Sequence, residues 1–130
     1  MIQILKSVPF FRELSESDLQ AIVAKVIMEY YPANHVLFNE GDPAEKMYLI
    51  KRGSVEVIRG KRVVAELGTG EFFGEMALVS DDTRNATVRT TSETELLVLQ
   101  KQDFRHLLET NAGIASMVSY EVVKRFKANT

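Results

Sequence analysis

The sequence predicts a mainly β domain of the sandwich, barrel or jelly-roll type, with helices at both ends of the chain. Two changes of hydrophobic period carry this prediction. Apolar residues repeat at helical spacing near the start, occur in short runs broken by turn residues between Val36 and Leu99, and return to helical spacing from Asp103. A parallel sheet would need crossover helices, which the middle of the sequence lacks, so an antiparallel sheet is predicted.

A first amphipathic helix is predicted after Ser15. Ser15 and Asp18 resemble a capping box, in which the first side chain accepts a hydrogen bond from a free backbone N–H of the first turn. An apolar stripe then recurs at the spacing of one buried helical face, at Leu19, Ile22, Val23 and Val26. Pro32 ends the segment that follows this stripe.

The middle of the chain contains short runs typical of strands. Val55 and Val57 share one face while Glu56 lies on the other, which is the alternation of a sheet with one face in a core. Val88, Leu97 and Leu99 are predicted core residues. The predicted strands, separated by glycine-containing turns, are Met47–Lys51, Ser54–Arg59, Arg62–Leu67, Ala86–Thr90 and Glu95–Gln100.

The helical period returns after the strands. The apolar positions are Phe104, Leu107 and Leu108, followed by Ile114, Met117, Val118 and Val122. Two C-terminal helices are therefore predicted, with a break near residues 111–113. The order helix, strands, helices describes a β-roll against which the terminal helices lie.

Size and charge restrict the function classes. A chain of 130 residues suits a single domain over residues 1–130, and its 16 basic and 18 acidic residues give a net charge of −2. No overall positive field attracts DNA or a membrane, so neither is an expected partner. No cysteine is present, which excludes a disulfide framework and a thiolate metal site. The first residues lack the apolar core of a signal peptide, so cytoplasmic residence is expected.

Residues 68–88 form an interruption too long for a simple hairpin loop, and long loops in compact domains are often functional. Good helix formers follow Gly74, so a short helix with free N–H groups is expected at Glu75. Arg84 is close enough in sequence to bind the same anion with its guanidinium. Glu75 beside an anion makes sense if the ligand also carries a hydroxyl, as a nucleotide does.

One segment resembles a known family. Phe73-Gly74-Glu75-Met76-Ala77-Leu78, then six residues ending at Arg84, then Ala86-Thr87-Val88, resembles the phosphate-binding cassette of cyclic-nucleotide-binding domains. Glu40-Gly41-Asp42, Tyr48-Leu49-Ile50 with Gly53-Ser54-Val55, and Gly70-Glu71-Phe72 are similar to that family's strand and turn signatures. The resemblance spans nearly the whole chain and implies an eight-stranded antiparallel β-roll with an N-terminal helix and C-terminal helices.

The resemblance also implies site residues, all of them ligand-binding and none catalytic. Glu75 and the backbone of Gly74 would hold the ribose 2′-hydroxyl. The phosphate would be held by Arg84 and the N–H groups of Ala77, Leu78 and Asn85, in a cassette that also includes Met76 and Ala86. Val57, Val64 and Leu67 would line the base pocket. Asn85 and Thr83 depart from the usual family residues, and the sequence favours cyclic AMP over cyclic GMP without deciding between them.

The implied function is that of a regulatory module that couples the nucleotide to movement of the C-terminal helices, with no cofactor. An effector domain or protein, or a second copy in a homodimer, would meet those helices, and Tyr120 or Phe126 could cover the base. The alternative is a β-roll without that ligand, or with another, that serves as a protein interaction module. A cupin-like metal site is a further alternative, but His35 and His106 are too few for one, and no metal is expected.

Overall fold

The protein is described by a computed structural model that covers residues 2–8, 11–78 and 80–116. Among the residues described, the α-helices that precede the strands are α1 (Ile2–Leu5) and α2 (Glu16–Val23). Ser15 caps α2, because its Oγ accepts a hydrogen bond from the Asp18 N–H at 3.1 Å. The predicted N-terminal helix is therefore confirmed, although it ends at Val23 and leaves Val26 beyond it.

Eight strands lie between the helices in the described part of the chain. They are β1 (Ile27–Tyr31), β2 (Val36–Phe38), β3 (Lys46–Arg52), β4 (Ser54–Arg59), β5 (Arg62–Gly68), β6 (Phe72–Phe73), β7 (Thr87–Thr90) and β8 (Thr94–Gln100). The five predicted strands correspond to β3, β4, β5, β7 and β8. Strands β1, β2 and β6 were not predicted as separate runs.

The strands form two four-stranded antiparallel sheets. The first has the order β1-β8-β3-β6 and the second β2-β7-β4-β5. Strands distant in sequence pair directly, as when Met47 of β3 lies opposite Leu99 of β8. This is the antiparallel β-roll that the sequence predicted.

Two apolar clusters use opposite faces of the first sheet. Leu97 and Leu99 of β8 face the helices, and Leu96 and Val98 face the second sheet. Because both faces are covered, β8 is buried at nearly every position and shows no alternation of apolar and polar residues. β4 is different, since only its inner face is covered, and Val55 is buried there while Glu56 is not.

A ten-residue helix, α3 (Lys101–Thr110), follows β8 directly and buries Phe104 and Leu107 against the helical cluster. Residues 112–116 are helical again, which confirms the break predicted near residues 111–113. Ile114 is fully buried in the same cluster. Met117, Val118, Tyr120, Val122 and Phe126, which the sequence analysis assigned to the last helix, lie outside the described residues.

Candidate functional site

The long interruption folds around a turn at Gly74. Gly74 has φ +74°, in the left-handed region that favours glycine, and the next four residues form a single turn of 3-10 helix, Glu75–Leu78. The expected short helix is therefore present. The Ala77 N–H donates to the Gly74 carbonyl at 3.1 Å, and the Ser80 N–H donates to the Met76 carbonyl at 3.0 Å.

Two backbone hydrogen bonds fix the return of the chain at Arg84. The Arg84 N–H donates to the Asp42 carbonyl, and the Gly41 N–H donates to the Arg84 carbonyl, both at 2.8 Å. Pro43 and Thr83 add an antiparallel bridge beside them. The loop that contains Glu40-Gly41-Asp42 thus holds the backbone of Arg84, so the two sequence signatures meet in space.

A cavity of about 510 Å³ opens between the 3-10 helix, Arg84 and the inner face of the second sheet. The predicted site residues that line it are Gly74, Glu75, Met76, Ala77, Arg84, Asn85, Ala86 and Val57. Phe38, Ala44, Phe73, Ser80, Asp82, Thr83 and Val88 complete the lining. Its walls are therefore apolar on the sheet side and polar around the loop.

Three predicted site residues do not line this cavity. Leu78 is buried in the cluster beneath the helices, and Leu67 packs against the cluster between the sheets. Val64 is 52% exposed on β5. The structure therefore gathers most of the predicted set around Arg84 and leaves Leu78, Leu67 and Val64 in other surroundings.

The side chain of Arg84 is buried, with only 8% of the residue exposed. Its Nη2 donates to the main-chain carbonyl of Lys46 at 2.6 Å, and the guanidinium carbon lies 4.0 Å from the centre of the Phe38 ring. The Nε atom is buried and has no hydrogen-bond partner among the described residues. A buried N–H without an acceptor costs folding free energy, so this atom indicates a place where an acceptor is expected to bind.

The electrostatic setting of Arg84 is unusual for a buried cation. Burial lowers the pKa of the guanidinium, while the charges of Tyr48, Asp42 and Glu75 act in the opposite direction. None of the ion pairs among the described residues includes Arg84. The guanidinium nevertheless stays charged at neutral pH, because arginine does not lose its proton in proteins. The cavity therefore has a buried positive charge in its wall.

Gly74 leaves the space that Arg84 occupies. A Cβ atom at this position would lie 2.6 Å from the Arg84 Nη1 and 3.1 Å from the Lys46 carbonyl oxygen. Either contact is shorter than real Cβ atoms normally make. Gly74 is thus required both by its backbone conformation and by the guanidinium packed against it.

Sequence reasoning missed two contributors to the site. Phe38 supports the face of the guanidinium and packs against the Tyr48 and Phe73 rings at centroid distances of 5.9 and 6.1 Å. The Lys46 main-chain carbonyl orients the same guanidinium. Phe38 carries no motif of its own, and a main-chain acceptor is independent of side-chain identity, so no pattern in the sequence pointed to either.

A pair of ionic hydrogen bonds connects this loop to α3. The Asp81 Oδ1 accepts from the Arg105 Nη2 at 2.8 Å and from the Lys101 Nζ at 3.3 Å. Hydrogen bonds from Arg105 and Lys101 hold the pKa of the Asp81 carboxyl below its ordinary value. The segment between the 3-10 helix and Arg84 is therefore linked by charge to the first helix after the strands.

Neither histidine belongs to a metal centre in the described part of the chain. His35 stacks on Tyr31 with ring centroids 4.5 Å apart, and His106 lies exposed on α3. Within residues 2–8, 11–78 and 80–116, no three His, Cys, Asp or Glu side chains are grouped as metal ligands would be. The helices described over the same residues are also too short or too polar to cross a membrane.

Comparison with known proteins points to one family. The family model of the cyclic nucleotide-binding domain matches residues 28–111. A cyclic nucleotide-gated potassium channel from Mesorhizobium japonicum is 36% identical over 95% of the chain, which spans only 34% of that channel's length. The curated relatives are thus much longer than the chain.

Solved structures agree with that family. The N-terminal domain of a transcriptional regulator from Streptomyces coelicolor superimposes with a TM-score of 0.90 at 25% identity, over 97% of this chain and 92% of that domain. The regulatory domain of Toxoplasma gondii PKA, crystallised with cAMP, gives a TM-score of 0.77 at 30% identity, over 82% of this chain and 42% of the other.

Proposed function

This chain belongs to the cyclic nucleotide-binding domain family, and on that premise we propose that it takes cyclic AMP in preference to cyclic GMP and couples the bound nucleotide to its C-terminal helices. The observation that carries the proposal is the buried guanidinium of Arg84. It lines a cavity, and among the described residues it pairs with no carboxylate and its Nε atom has no acceptor. A cyclic phosphate supplies both the negative charge and the oxygen acceptors.

The phosphate would be bound by the guanidinium and by backbone N–H groups near the 3-10 helix. Arg84 already has its plane fixed by Phe38 and the Lys46 carbonyl, so little side-chain entropy is lost when the ligand binds. Of the proposed N–H donors, that of Ala77 donates to the Gly74 carbonyl in this structure. We therefore expect the turn at Gly74 to adjust when this N–H bonds to phosphate.

The ribose would be recognised by Glu75, which lines the same cavity and begins the 3-10 helix. A carboxylate accepts a hydrogen bond from the 2′-hydroxyl, while Arg84 supplies the positive charge for the phosphate beside it. Titration of Glu75→Gln with cyclic AMP and with its 2′-deoxy analogue tests this role. The variant and the analogue should each weaken binding, and combining them should add little further loss.

The base would lie against the apolar sheet side of the cavity, where Val57 and Val88 belong to the lining and Met76 borders it. The preference for adenine is supported by the PKA domain that was crystallised with cAMP and is 30% identical to this chain. Asn85 at the rim can both donate and accept, and it is the residue through which guanine would compete.

Calorimetric titration of the chain with cyclic AMP and cyclic GMP tests the proposal directly. We expect saturable binding of cyclic AMP that is tighter than that of cyclic GMP. Arg84→Ala should weaken binding by about 2 to 5 kcal/mol, the cost of removing one partner of a buried charge pair. A folded wild-type chain that binds neither nucleotide would contradict the proposal and favour the protein interaction module.

Coupling to the helices is supported by the ionic contact of Asp81 with α3. Asp81 lies in the segment that leads to Arg84, so a ligand that tightens this segment acts on Lys101 and Arg105 through one carboxylate. A ligand shifts α3 only by its different affinity for the two arrangements. Amide chemical shifts beyond Asp103 should therefore change on saturation with cyclic AMP, and unchanged shifts would contradict coupling.

The partner of the coupled helices would be an effector domain, a separate protein or a second copy of the chain. The relatives that share this segment include a cyclic nucleotide-gated potassium channel and a cAMP-dependent protein kinase regulatory subunit. Cross-linking and light scattering with and without cyclic AMP would distinguish a self-contact from a partner contact.

A further inference from the structure

The hairpin that joins β4 to β5 ends in a cationic turn. Its residues are Arg59, Gly60, Lys61 and Arg62, all of them exposed, with Arg59 and Arg62 paired across the turn. Gly60 has φ +61°, which a tight hairpin turn requires. Three positive charges therefore project together at one end of the second sheet.

These three cations have no salt-bridge partner in the part of the chain that the structure describes. None of the ion pairs formed within the described residues involves Arg59, Lys61 or Arg62. Two carboxylates lie near: Glu40, whose Oε1 accepts from the Gly60 N–H at 3.3 Å, and the exposed Glu66 further along β5. Because the whole chain has a net charge of −2, the turn is a local positive region on an acidic protein.

Exposed apolar side chains lie directly beside the cations. Val63 is 50% exposed and Val64 is 52% exposed, and both follow Arg62 on β5. β5 is also the terminal strand of its sheet, so its outer edge has no strand partner in the described fold. Charged side chains on such an edge discourage pairing with a second copy, since two of these turns would repel each other.

We propose that this hairpin tip docks on the surface of an anionic phospholipid bilayer. Arg59, Lys61 and Arg62 would contact the phosphate and carboxylate groups of the lipids, and Val63 and Val64 would enter the interface between headgroups and acyl chains. Cations next to exposed aliphatic side chains suit a surface that is charged outside and apolar beneath. A nucleic acid would satisfy the cations and leave both valines in water.

Docking through three cations is expected to be weak and reversible. Each cation near an anionic leaflet raises partitioning by about fivefold, so the three together contribute on the order of a hundredfold. One such signal does not anchor a protein permanently. Raising the salt concentration should therefore release the chain, because the charges are screened.

Vesicle co-sedimentation tests the proposal. Vesicles of phosphatidylcholine alone are compared with vesicles of phosphatidylcholine and phosphatidylserine. Wild-type chain should sediment only with the second kind, and the triple variant Arg59→Gln, Lys61→Gln, Arg62→Gln should lose this binding. Val63→Ser should reduce binding while all three charges remain, which an adsorption driven by charge alone would not show.

A matched control removes three other exposed cations with no ion pair among the described residues, by Lys6→Gln, Arg12→Gln and Lys25→Gln. It changes the net charge equally and should keep most of the vesicle binding. Equal losses in both triple variants, no binding of wild type to phosphatidylserine vesicles, or tighter binding to duplex DNA at the same phosphate concentration would each overturn the proposal.

Titration with cyclic AMP separates this inference from the proposed function. Arg59, Lys61 and Arg62 do not line the cavity of Arg84, so the hairpin triple variant should bind the nucleotide like wild type. Loss of vesicle binding with normal nucleotide binding supports the docking surface. Loss of both would show that the substitutions damaged the fold. A variant with only Lys61→Gln and Arg62→Gln, shown to be folded by circular dichroism and refolding, would then take the place of the triple variant in the vesicle assay.

Discussion

Arg84 and Arg89 lie close in sequence but in contrasting regions of the protein. Arg89 lies on β7 opposite Glu56, and its Nε donates to the Glu56 Oε1 at 2.8 Å while its Nη2 bonds to the same oxygen. Arg84 lies in the cavity wall, where its guanidinium contacts the Lys46 main-chain carbonyl and lies over the Phe38 and Tyr48 rings. Among the described residues, the Arg89 guanidinium has a carboxylate partner and the Arg84 guanidinium has none.

The difference separates a charge that is paired within the fold from a charge that has no described carboxylate partner. The Arg89 side chain remains 43% exposed and is paired, so its charge is satisfied when the chain folds. Burial of Arg84 lowers its pKa and leaves the Nε atom without an acceptor among the described residues. An unpaired buried charge costs folding free energy, and a bound anion offsets that cost. Arg84 is therefore the residue at which the proposed phosphate would offset this cost.

Replacing each arginine by methionine gives the largest expected contrast. Arg84→Met should weaken cyclic AMP binding by about 2 to 5 kcal/mol. The ligand-free protein should be at least as stable as wild type, because an apolar side chain replaces a buried charge that has no described carboxylate partner. Arg89→Met should bind normally and lose up to about 1 kcal/mol of stability, since its pair is partly exposed. Calorimetric titration and urea unfolding measure both quantities. A ligand-free Arg84→Met that is less stable than Arg89→Met would contradict this distinction.

Two glycines sharpen the comparison by separating backbone strain from side-chain contact. Gly74 and Gly70 have φ values of +74° and +87°, so alanine at either position should cost about 1 to 2 kcal/mol of stability. At Gly74 the new Cβ would lie 2.6 Å from the Arg84 Nη1. At Gly70 the new Cβ would have no atom within 4 Å apart from its chain neighbours.

Nucleotide binding should therefore respond to one of these substitutions and not to the other. Gly74→Ala should weaken cyclic AMP binding by about tenfold or more, because the guanidinium must move away from its position. Gly70→Ala should bind like wild type despite a similar loss of stability by urea unfolding. Equal affinities in the two variants would mean that Arg84 does not depend on Gly74 for its place.

The surroundings of Arg84 and of Arg89 also show what the sequence could predict. Alternation at Val55, Glu56 and Val57 indicated a strand with one covered face, which β4 is. β1 was missed because its exposed Ile27, Met28 and Tyr30 do not alternate with buried residues at a sheet edge. Spacing predicted a site role for Arg84, which stays a prediction, and the surroundings of Arg84 depend on strand pairings between residues distant in sequence. The approach of Phe38 and the Lys46 carbonyl to Arg84 follows from how β2 and β3 are arranged in the fold.

A smaller effect is expected from the ring that supports Arg84. Phe38→Leu removes the aromatic face 4.0 Å from the guanidinium carbon and keeps an apolar side chain. Affinity for cyclic AMP should fall by about 0.5 to 2 kcal/mol, the usual strength of a cation–π contact. Phe38→Tyr keeps the ring and should restore most of the affinity. If leucine and tyrosine bind equally well, Phe38 contributes only bulk and the stacking has no role.

The smallest expected effect concerns the link from the loop to α3. Asp81→Asn removes the negative charge that bonds to Lys101 and Arg105, and the chain should still bind cyclic AMP but show weaker amide shift changes in α3. Asp82→Asn removes one charge from the same loop and keeps that link, so its α3 response should match wild type. An identical α3 response in both variants would show that coupling does not pass through Asp81.

The pH dependence of the link has a definite sign. The pKa of Asp81 is lowered by the hydrogen bonds from Arg105 and Lys101, so the folded carboxylate stays ionised at pH values where an unfolded one has begun to take up a proton. The contribution of the link is complete above the ordinary value of 3.8 and is lost as the pH falls through the lowered pKa. The α3 response to cyclic AMP should therefore be constant across the neutral range. A response that changes between mildly acidic and neutral pH would contradict a link whose only titrating group is Asp81.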